Sequence, residues 1–228
     1  MNPLKRPLKI AFCMPGKTFS NHFLNSWSYL LSYCLNHNIT PYIITKTNSN
    51  VYYVRNQCLG ADLTRGPDQN PWNGELDYDF IMWIDSDQVF KVEDFINLLK
   101  FDKDIISGLY LMDGGRMYAT VQDWDIEYFQ KNGSFKFITP EYLKQWKKEH
   151  PNCLMKASYS GFGWMLIKRG VFEKMKYPWF SPEWHKFTNG WVDFSSEDAS
   201  FCLKAKEAGF DILIHPDVIV GHEKSIIY

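Results

Sequence analysis

The stretch from Tyr78 to Phe90 reads Tyr-Asp-Phe-Ile-Met-Trp-Ile-Asp-Ser-Asp-Gln-Val-Phe. Its apolar run from Phe80 to Ile84 shows no alternation and ends at Asp85, which is typical of a strand buried on both faces of a largely parallel sheet. Ligands bind at the carboxyl edge of such sheets, and carboxylates at i and i+2 can share one divalent cation with a diphosphate. Alternatively, Asp85 and Asp87 simply end the strand and begin a turn, because aspartate is favoured in turns.

The rest of the chain predicts alternating strands and helices, and hence an α/β domain with a mostly parallel sheet. Short apolar runs indicate further strands at 8–14, 41–45, 104–110, 156–159 and 164–168, with a last apolar run between 212 and 220. Apolar stripes of helical period indicate helices at 20–35, 51–59, 92–100, 141–149 and 197–208. The region 112–152 is the least periodic, and the polar stretch 60–77 is long enough to indicate a functional or mobile loop.

Length, charge and cysteine usage limit the class of protein. A chain of 228 residues with 45% hydrophobic content can form one substantial core, so a single domain over 1–228 is expected. The net charge of −1, without any block of like charge, disfavours nucleic-acid partners and anionic membrane surfaces. The N-terminal residues predict neither a signal peptide nor a membrane span. Five scattered cysteines without a Cys-x-x-Cys pair fit a reducing cytosol, so a cytoplasmic protein is expected.

A second acidic pair, Glu197-Asp198, begins the helix that the sequence predicts most clearly, and Gly209 stands where its C-cap would fall. Acids in the first turn are stabilised by the helix dipole by roughly 0.3–1 kcal/mol, so the pair could serve stability alone. The functional alternative is that one of the two carboxylates removes a proton from an attacking hydroxyl. The two interpretations do not exclude each other.

Three further features could contribute to a site at the same sheet edge. Pro15-Gly16 follows the first predicted strand and begins a turn. The glycines of Ser160-Gly-Phe-Gly163 permit backbone to lie close to a ligand, although a plain tight turn explains them equally well. His222 follows the last apolar run and could offer a neutral imidazole to a metal, with His215 as the competing candidate.

The segment Tyr177 to Val192 combines aromatic residues, among them Trp184 and Trp191, with proline and glycine. Aromatic side chains in such a stretch could stack on sugar rings. The alternative is that they pack under a long loop as a satellite hydrophobic cluster.

The sequence resembles the GT-A nucleotide-sugar glycosyltransferases in three motifs and in their order. These are Asp85-Ser-Asp87 after a buried strand, Glu197-Asp198 at the start of a helix and Gly221-His222 after the last strand. The resemblance spans most of the chain and includes Met14-Pro-Gly16, Arg55-Asn56 and Ser160-Gly-Phe-Gly163. It is nearest to the small glycosyltransferase domains of large DNA viruses and phages, which would make the host cytoplasm the location of a viral protein. It implies a Rossmann-like α/β/α domain that binds a nucleoside diphosphate sugar, UDP-linked by preference, with Mn²⁺ or Mg²⁺, and a glycan or glycoconjugate acceptor.

The resemblance also implies roles for individual residues. Asp87 and His222 would bind the metal, with Asp85 at the ribose and the metal shell. Asp198 would be the general base, with Glu197 beside it as the other acid of the pair. Residues near the nucleotide sugar would be Pro15, Gly16, Arg55, Asp85, Ser86 and Gly163, and those near the acceptor would be Trp184 and Trp191.

These roles describe a single displacement with inversion at the anomeric carbon. A divalent cation would stabilise the departing diphosphate, and Asp198 would deprotonate the acceptor hydroxyl on the opposite face of the sugar. A metal-dependent phosphohydrolase, in its milder form a sugar-nucleotide hydrolase, also uses clustered carboxylates, but the near-neutral charge disfavours a nucleic-acid substrate. A non-catalytic carbohydrate-binding module is the second rival, in which the acids are structural.

Overall fold

The computed structural model describes residues 6–112, 114–187 and 190–224. Positions 188 and 189 of the aromatic segment therefore lie outside the described residues. The strands are β1 (Leu8–Pro15), β2 (Ile39–Lys46), β3 (Phe80–Ile84), β4 (Gln88–Val89), β5 (Ile105–Leu109), β6 (Thr120–Val121), β7 (Met155–Ala157), β8 (Tyr159–Ser160), β9 (Trp164–Lys168), β10 (Trp184–Lys186), β11 (Val192–Phe194), β12 (Ile212–Ile219) and β13 (Gly221–His222). The helices are α1 (Asn21–Asn36), α2 (Val51–Cys58), α3 (Val92–Leu99), α4 (Ile126–Asn132), α5 (Pro140–Glu149), α6 (Val171–Lys174) and α7 (Glu197–Glu207).

A seven-stranded sheet in the order β2-β1-β3-β9-β5-β12-β7 organises the fold. Strands β2, β1, β3, β5 and β12 run in one direction, whereas β9 and β7 are antiparallel to their neighbours. The predicted α/β class with a mostly parallel sheet is confirmed, and the arrangement is compatible with a Rossmann-like fold.

The absence of alternation in β3 has a direct structural cause. Phe80, Met82 and Ile84 belong to the hydrophobic cluster on one face of the sheet, together with residues of α1 and α3. Ile81 and Trp83 belong to the cluster on the other face, with residues of α5, α6 and α7. All five side chains are buried, because helices cover both faces of the sheet.

Most predicted elements occur within one or two residues of their expected positions. The predicted strand at 156–159 is instead divided between β7 and β8, which belong to different sheets. The other differences concern irregular regions. The region 112–152 contains α4 and β6, which the sequence analysis did not identify. The last apolar run is one strand, β12, whose pairing with β5 shifts register between Ile214 and Ile219. Pro216 lies within this shift, where its missing N–H costs no ladder hydrogen bond.

The described helices and the cysteines bear on membrane spanning and on disulfide bonding. None of the helices described is long and apolar enough to cross a membrane. All five cysteines are unpaired, and Cys153 alone among them is exposed.

Candidate functional site

Strand β3 delivers Asp85-Ser86-Asp87 to a turn at the edge of the central sheet. The Gln88 N–H donates to the Asp85 carbonyl over 3.1 Å and closes this turn. The Asp85 N–H donates to the Gly163 carbonyl over 3.1 Å, just before β9 begins. The acidic turn is therefore held by its own backbone and by the neighbouring antiparallel strand.

Arg55, on α2, joins the acidic turn to the start of α7. Its Nη1 and Nη2 donate to the two oxygens of Asp85 over 2.9 and 3.1 Å, and its Nε donates to Glu197 Oε1 over 3.1 Å. The guanidinium lies 5.6 Å from the ring centroid of Trp83 and 5.1 Å from that of Phe162. Burial opposes its charge, but the two carboxylates outweigh this effect and raise the pKa of Arg55. Arg55 is 3% exposed, so it is foremost a buried connection between two carboxylates.

Five residues assigned to the nucleotide sugar line one cleft of about 310 Å³ at this edge, and Asp87 lines it as well. The five are Pro15, Gly16, Arg55, Asp85 and Ser86. A side chain at position 16 would lie 2.5 Å from the Ser86 Cβ, so the close approach of these two loops requires glycine. We call this space the acidic cleft.

Gly163, the remaining residue assigned to the nucleotide sugar, does not line the acidic cleft. A Cβ at this position would lie 2.8 Å from Gln88 Nε2 and 2.8 Å from Tyr110 Cε1. Glycine is therefore required here for close packing behind the acidic turn. The assignment of Gly163 to the nucleotide sugar stays a prediction.

The short antiparallel pair β4 and β13 brings His222 to Asp87. His222 lies opposite Gln88 in this pair, and its Nε2 is 3.1 Å from Asp87 Oδ2. Its Nδ1 is 2.6 Å from the Leu111 carbonyl, which can only accept, so Nδ1 carries a hydrogen. Lys224 Nζ donates to the same Asp87 oxygen over 2.9 Å. The competing candidate His215 lies in β12 instead, with its ring edge-on to Phe101.

Electrostatics couple the members of this cluster. Partial burial works against ionisation of Asp87, but His222 and Lys224 outweigh it and lower the pKa of Asp87 to about 2. Burial likewise disfavours the charged imidazole, but hydrogen bonds to Asp87 and to the Leu111 carbonyl raise the pKa of His222. Asp87 and His222 thus form an ion pair at mildly acidic pH.

The residues present fit a divalent cation only in part. Across residues 6–112, 114–187 and 190–224, no group of three or more His, Cys, Asp or Glu side chains is arranged to hold a metal ion. Asp87 and His222 are nevertheless 3.1 Å apart, close to the roughly 3.0 Å expected between two neighbouring ligands of an octahedral ion. The carbonyl bonded to Nδ1 is the partner that metal-binding histidines commonly have. Both oxygens of Asp85 are bonded to Arg55, and its role as a ligand stays a prediction.

Asp198 stands in the first turn of α7 and is held by three donors. Tyr159 Oη donates to its Oδ2 over 2.9 Å, the Ala199 N–H donates to its Oδ1 over 2.8 Å, and the Ser196 hydroxyl donates to the same Oδ1. Neighbouring Glu197 is buried against Arg55, and burial raises the pKa of Glu197 despite the guanidinium. Asp198 is thus the more accessible of the two acids.

Two tyrosines that were not predicted as site residues lie near the two acidic motifs: Tyr159 donates to Asp198, and the Tyr110 hydroxyl accepts from the Gly163 N–H. Tyr110 is buried directly after β5, and its pKa is raised by burial and by the charges of Asp85 and Asp198. The pKa of Tyr159 is raised by burial and by the neighbouring groups Asp198 and Tyr110. The position of Tyr110 at the carboxyl end of a parallel strand was a usable signal, because ligand sites form at that edge.

The aromatic segment is divided between core and surface. Trp179 and Phe180 are buried, whereas Trp184 and Trp191 are 71% and 65% exposed. The exposed pair stands at the hairpin of β10 and β11, which pair antiparallel. The interpretation as a packed cluster is therefore correct for Trp179 and Phe180, and stacking of the exposed tryptophans on sugar rings stays a prediction. The role of Trp184 and Trp191 in acceptor binding stays a prediction.

Fold and site together define an α/β protein with an acidic cleft at the edge of a mostly parallel sheet. No protein-family model matches the sequence, and no curated protein matches it either.

Proposed function

We propose that this protein is a metal-dependent glycosyltransferase of the GT-A type. It transfers a sugar from a nucleoside diphosphate sugar, UDP-linked by preference, to an acceptor hydroxyl with inversion of the anomeric configuration. The proposal includes the more specific assignment of the α/β fold described above to the GT-A fold. The assignment to this class rests on the resemblance of the motifs in the sequence, and the geometry of the site supports it.

The observation that carries the proposal is the ion-pair bridge formed by Arg55. Its guanidinium contacts Asp85 and Glu197 at 2.9 to 3.1 Å, so the end of β3 and the first turn of α7 meet at one buried cation. The two acidic motifs are more than a hundred residues apart in sequence. A glycosyl transfer needs one group of residues at the leaving diphosphate and a base at the acceptor, and this bridge holds both groups in fixed positions.

Asp87 and His222 are the residues that would hold Mn²⁺ or Mg²⁺. A bound divalent cation supplies Lewis-acid stabilisation of the negative charge on the leaving diphosphate. The remaining ligands would come from phosphate oxygens and water, as is usual for Mg²⁺ sites with one or two protein carboxylates. The acidic cleft also contains Lys17, a cation available to the phosphates.

Asp198 serves the acceptor side. Its two oxygens are oriented by Tyr159, Ser196 and the Ala199 N–H, so the carboxylate is held in one position at the helix start. A positioned carboxylate of this kind can take the proton of an attacking hydroxyl. Glu197 is bonded to Arg55 and buried, which leaves proton transfer to Asp198.

A thermal-shift screen of UDP-, GDP-, CMP- and dTDP-linked sugars, each with Mn²⁺ and with EDTA, tests the proposal. A ligand at about a hundred times its Kd stabilises the folded state by about 2.7 kcal/mol, or roughly 5–10 °C for a chain of this length. We expect one nucleotide class, first of all UDP, to give such a shift only with Mn²⁺.

The same screen, together with an assay of sugar release, separates the proposal from its rivals. Failure of every nucleotide to bind with Mn²⁺ would favour a non-catalytic carbohydrate-binding module. Release of free sugar at full rate, unaffected by any acceptor, would favour a sugar-nucleotide hydrolase.

A further inference from the structure

A second cleft, of about 180 Å³, lies beside Asp198 and is distinct from the acidic cleft. It is enclosed by elements that the sequence analysis did not predict, α4 and the β10–β11 hairpin. We call it the aromatic cleft, after the rings that line it: Trp124, Phe129, Phe135, Phe137, Phe187 and Phe194.

Four rings of the aromatic cleft form a continuous stack. Trp124 and Phe135 stack with centroids 4.0 Å apart, Phe129 and Phe135 at 4.7 Å, and Phe129 and Phe187 at 5.6 Å. The stack links α4 to the β10–β11 hairpin, so the wall of the cleft is built from both. Such a wall favours a flat apolar ligand.

The aromatic cleft adjoins Asp198, which does not itself line it, through residues that are bonded to Asp198. Tyr159, Ser196 and Ala199 line it, and each of these residues donates a hydrogen bond to the Asp198 carboxylate. A ring held in the cleft therefore lies against residues that contact the Asp198 carboxylate.

One polar atom of the cleft lacks a partner. His185 Nε2 is buried and has no hydrogen-bond partner within the part of the chain that the structure describes. His185 lines the cleft from β10, opposite Asp193 of β11, which lines it too. A buried polar atom without a partner is costly, so a ligand that supplies one hydrogen bond here would remove that cost.

We propose that the aromatic cleft binds the acceptor, and that the acceptor is a phenolic ring whose hydroxyl is glycosylated. This inference rests on the proposed function. An apolar cavity of roughly 150 Å³ is known to hold benzene, so about 180 Å³ holds one six-membered ring with small substituents. A pyranose carries hydroxyls around its whole ring, and those that face the six aromatic rings of the wall rather than the polar residues would lose their hydrogen bonds, which is unfavourable.

The chemistry of a phenol suits the position of Asp198. The phenolic O–H gives its proton to the Asp198 carboxylate, and an oxygen lone pair forms the new bond to the anomeric carbon of the nucleoside diphosphate sugar. The bond from that carbon to the phosphate oxygen breaks, and its electron pair leaves with the diphosphate. A phenol has a pKa of about 10, so it releases its proton more readily than a sugar hydroxyl does.

Calorimetric titrations with 4-nitrophenol and with methyl β-glucoside, each with and without UDP and Mn²⁺, test the inference. We expect 4-nitrophenol to bind at least roughly tenfold more tightly than methyl β-glucoside, and to receive the sugar from the donor that the thermal-shift screen selects. Equal or tighter binding of methyl β-glucoside would overturn the inference.

Variants connect the binding to the aromatic cleft. Phe187→Ala should weaken 4-nitrophenol binding roughly three- to tenfold, and His185→Ala should weaken it as well. Tyr29→Ala removes a ring that is 72% exposed on α1, outside the cleft, and should change nothing. Phe187→Leu replaces Phe187→Ala if the latter fails to fold. Unchanged affinity in folded variants at both positions would overturn the inference.

The test also distinguishes failure of this inference from failure of the proposed function. Nitrophenol binding that depends on Phe187, without any nucleotide binding in Mn²⁺, would uphold the ligand class of the cleft and refute glycosyl transfer. Nucleotide binding and transfer to methyl β-glucoside, without nitrophenol binding, would do the reverse.

Discussion

Arg55 Nε donates a hydrogen bond to Glu197 Oε1 over 3.1 Å, although 142 positions separate the two residues in the sequence. The same guanidinium holds both oxygens of Asp85, and it is 3% exposed. One buried cation therefore fixes the distance between the acidic turn after β3 and the helix that carries Asp198. In the proposed function, the relative position of the leaving-group side and the acceptor side depends on this bridge.

Replacement of Arg55 should damage the fold, because it leaves the buried Glu197 carboxylate and the partly buried Asp85 carboxylate without their cation. We expect Arg55→Met to lower the free energy of unfolding by about 3–5 kcal/mol, measured by urea denaturation. Arg55→Lys should lose less stability than Arg55→Met but remain less stable than wild type, since lysine cannot form the paired hydrogen bonds to Asp85. The control is Lys156→Met, which breaks the exposed pair with Asp211 and should cost at most about 1 kcal/mol. A loss below about 1 kcal/mol for Arg55→Met would contradict the bridge.

Nucleotide binding should depend on Asp87 through the metal. We expect Asp87→Ala to reduce UDP affinity in Mn²⁺ to the level of wild type in EDTA, measured by isothermal titration. His222→Ala should weaken the metal dependence less completely, since the carboxylates remain. Asp211→Ala is the matched control. It removes an exposed carboxylate from the residue before β12, and the variant should bind UDP as tightly as wild type does. Equal UDP affinity of Asp87→Ala and wild type in Mn²⁺ would show the metal assignment to be wrong.

The ion pair of Asp87 and His222 should give the metal-free protein a limited pH window of extra stability. The folded-state pKa of His222 is raised above the value of about 6.5 in the unfolded chain. Its contribution to the stability of the fold is therefore complete below about pH 6.5 and is lost as the pH rises through the folded-state pKa. The folded-state pKa of Asp87, about 2, lies below the value of about 3.9 in the unfolded chain. Its contribution to the stability of the fold is therefore complete above about pH 3.9 and is lost as the pH falls toward 2.

The difference in Tm between wild type and His222→Gln in EDTA should therefore be largest between about pH 4 and 6.5. Because Asp87 is partly exposed, the difference should correspond to at most about 1 kcal/mol. A difference that keeps growing above pH 8 would contradict the ion pair.

Loss of the proposed base should affect chemistry and leave donor binding intact. Asp198→Asn is nearly isosteric, so the fold and Mn²⁺-dependent nucleotide binding should survive while transfer falls by roughly 10²-fold or more. NMR of the anomeric centre of the product should show inversion. Retained configuration, or near-normal turnover of Asp198→Asn, would assign the catalytic role elsewhere.

The exposed tryptophans of the hairpin should act on the acceptor and not on stability. Trp184→Ala and Trp191→Ala should cause little change in Tm, because both side chains are mostly exposed, and should weaken the binding of an acceptor that extends beyond the aromatic cleft, which neither residue lines. Trp179→Ala is the matched control: this side chain is fully buried, and its truncation should cost about 3–5 kcal/mol. A large loss of Tm with unchanged acceptor affinity in Trp184→Ala would indicate a structural role.

Local patterns in the sequence were enough to predict the elements that form the scaffold. Phe80 to Ile84 reads as a strand buried on both faces, and β3 has these same bounds with all five residues buried. The helix at 197–208 was predicted from its acidic start and from Gly209, and α7 spans Glu197–Glu207. Such patterns are reliable because periodicity and terminal residues act within one element.

The partners of the site residues were decided by the tertiary structure alone. No local pattern indicates that Arg55 would bond to Asp85 and Glu197, or that Tyr159 would bond to Asp198. The hydrophobicity of the aromatic segment likewise could not tell buried Trp179 from exposed Trp184. Contacts between distant parts of a chain follow from strand order and from the packing of layers, which no single window of sequence contains. The sequence by itself therefore determined which residues stand at the ends of β3 and α7, and the order of strands in the sheet decided which of them meet.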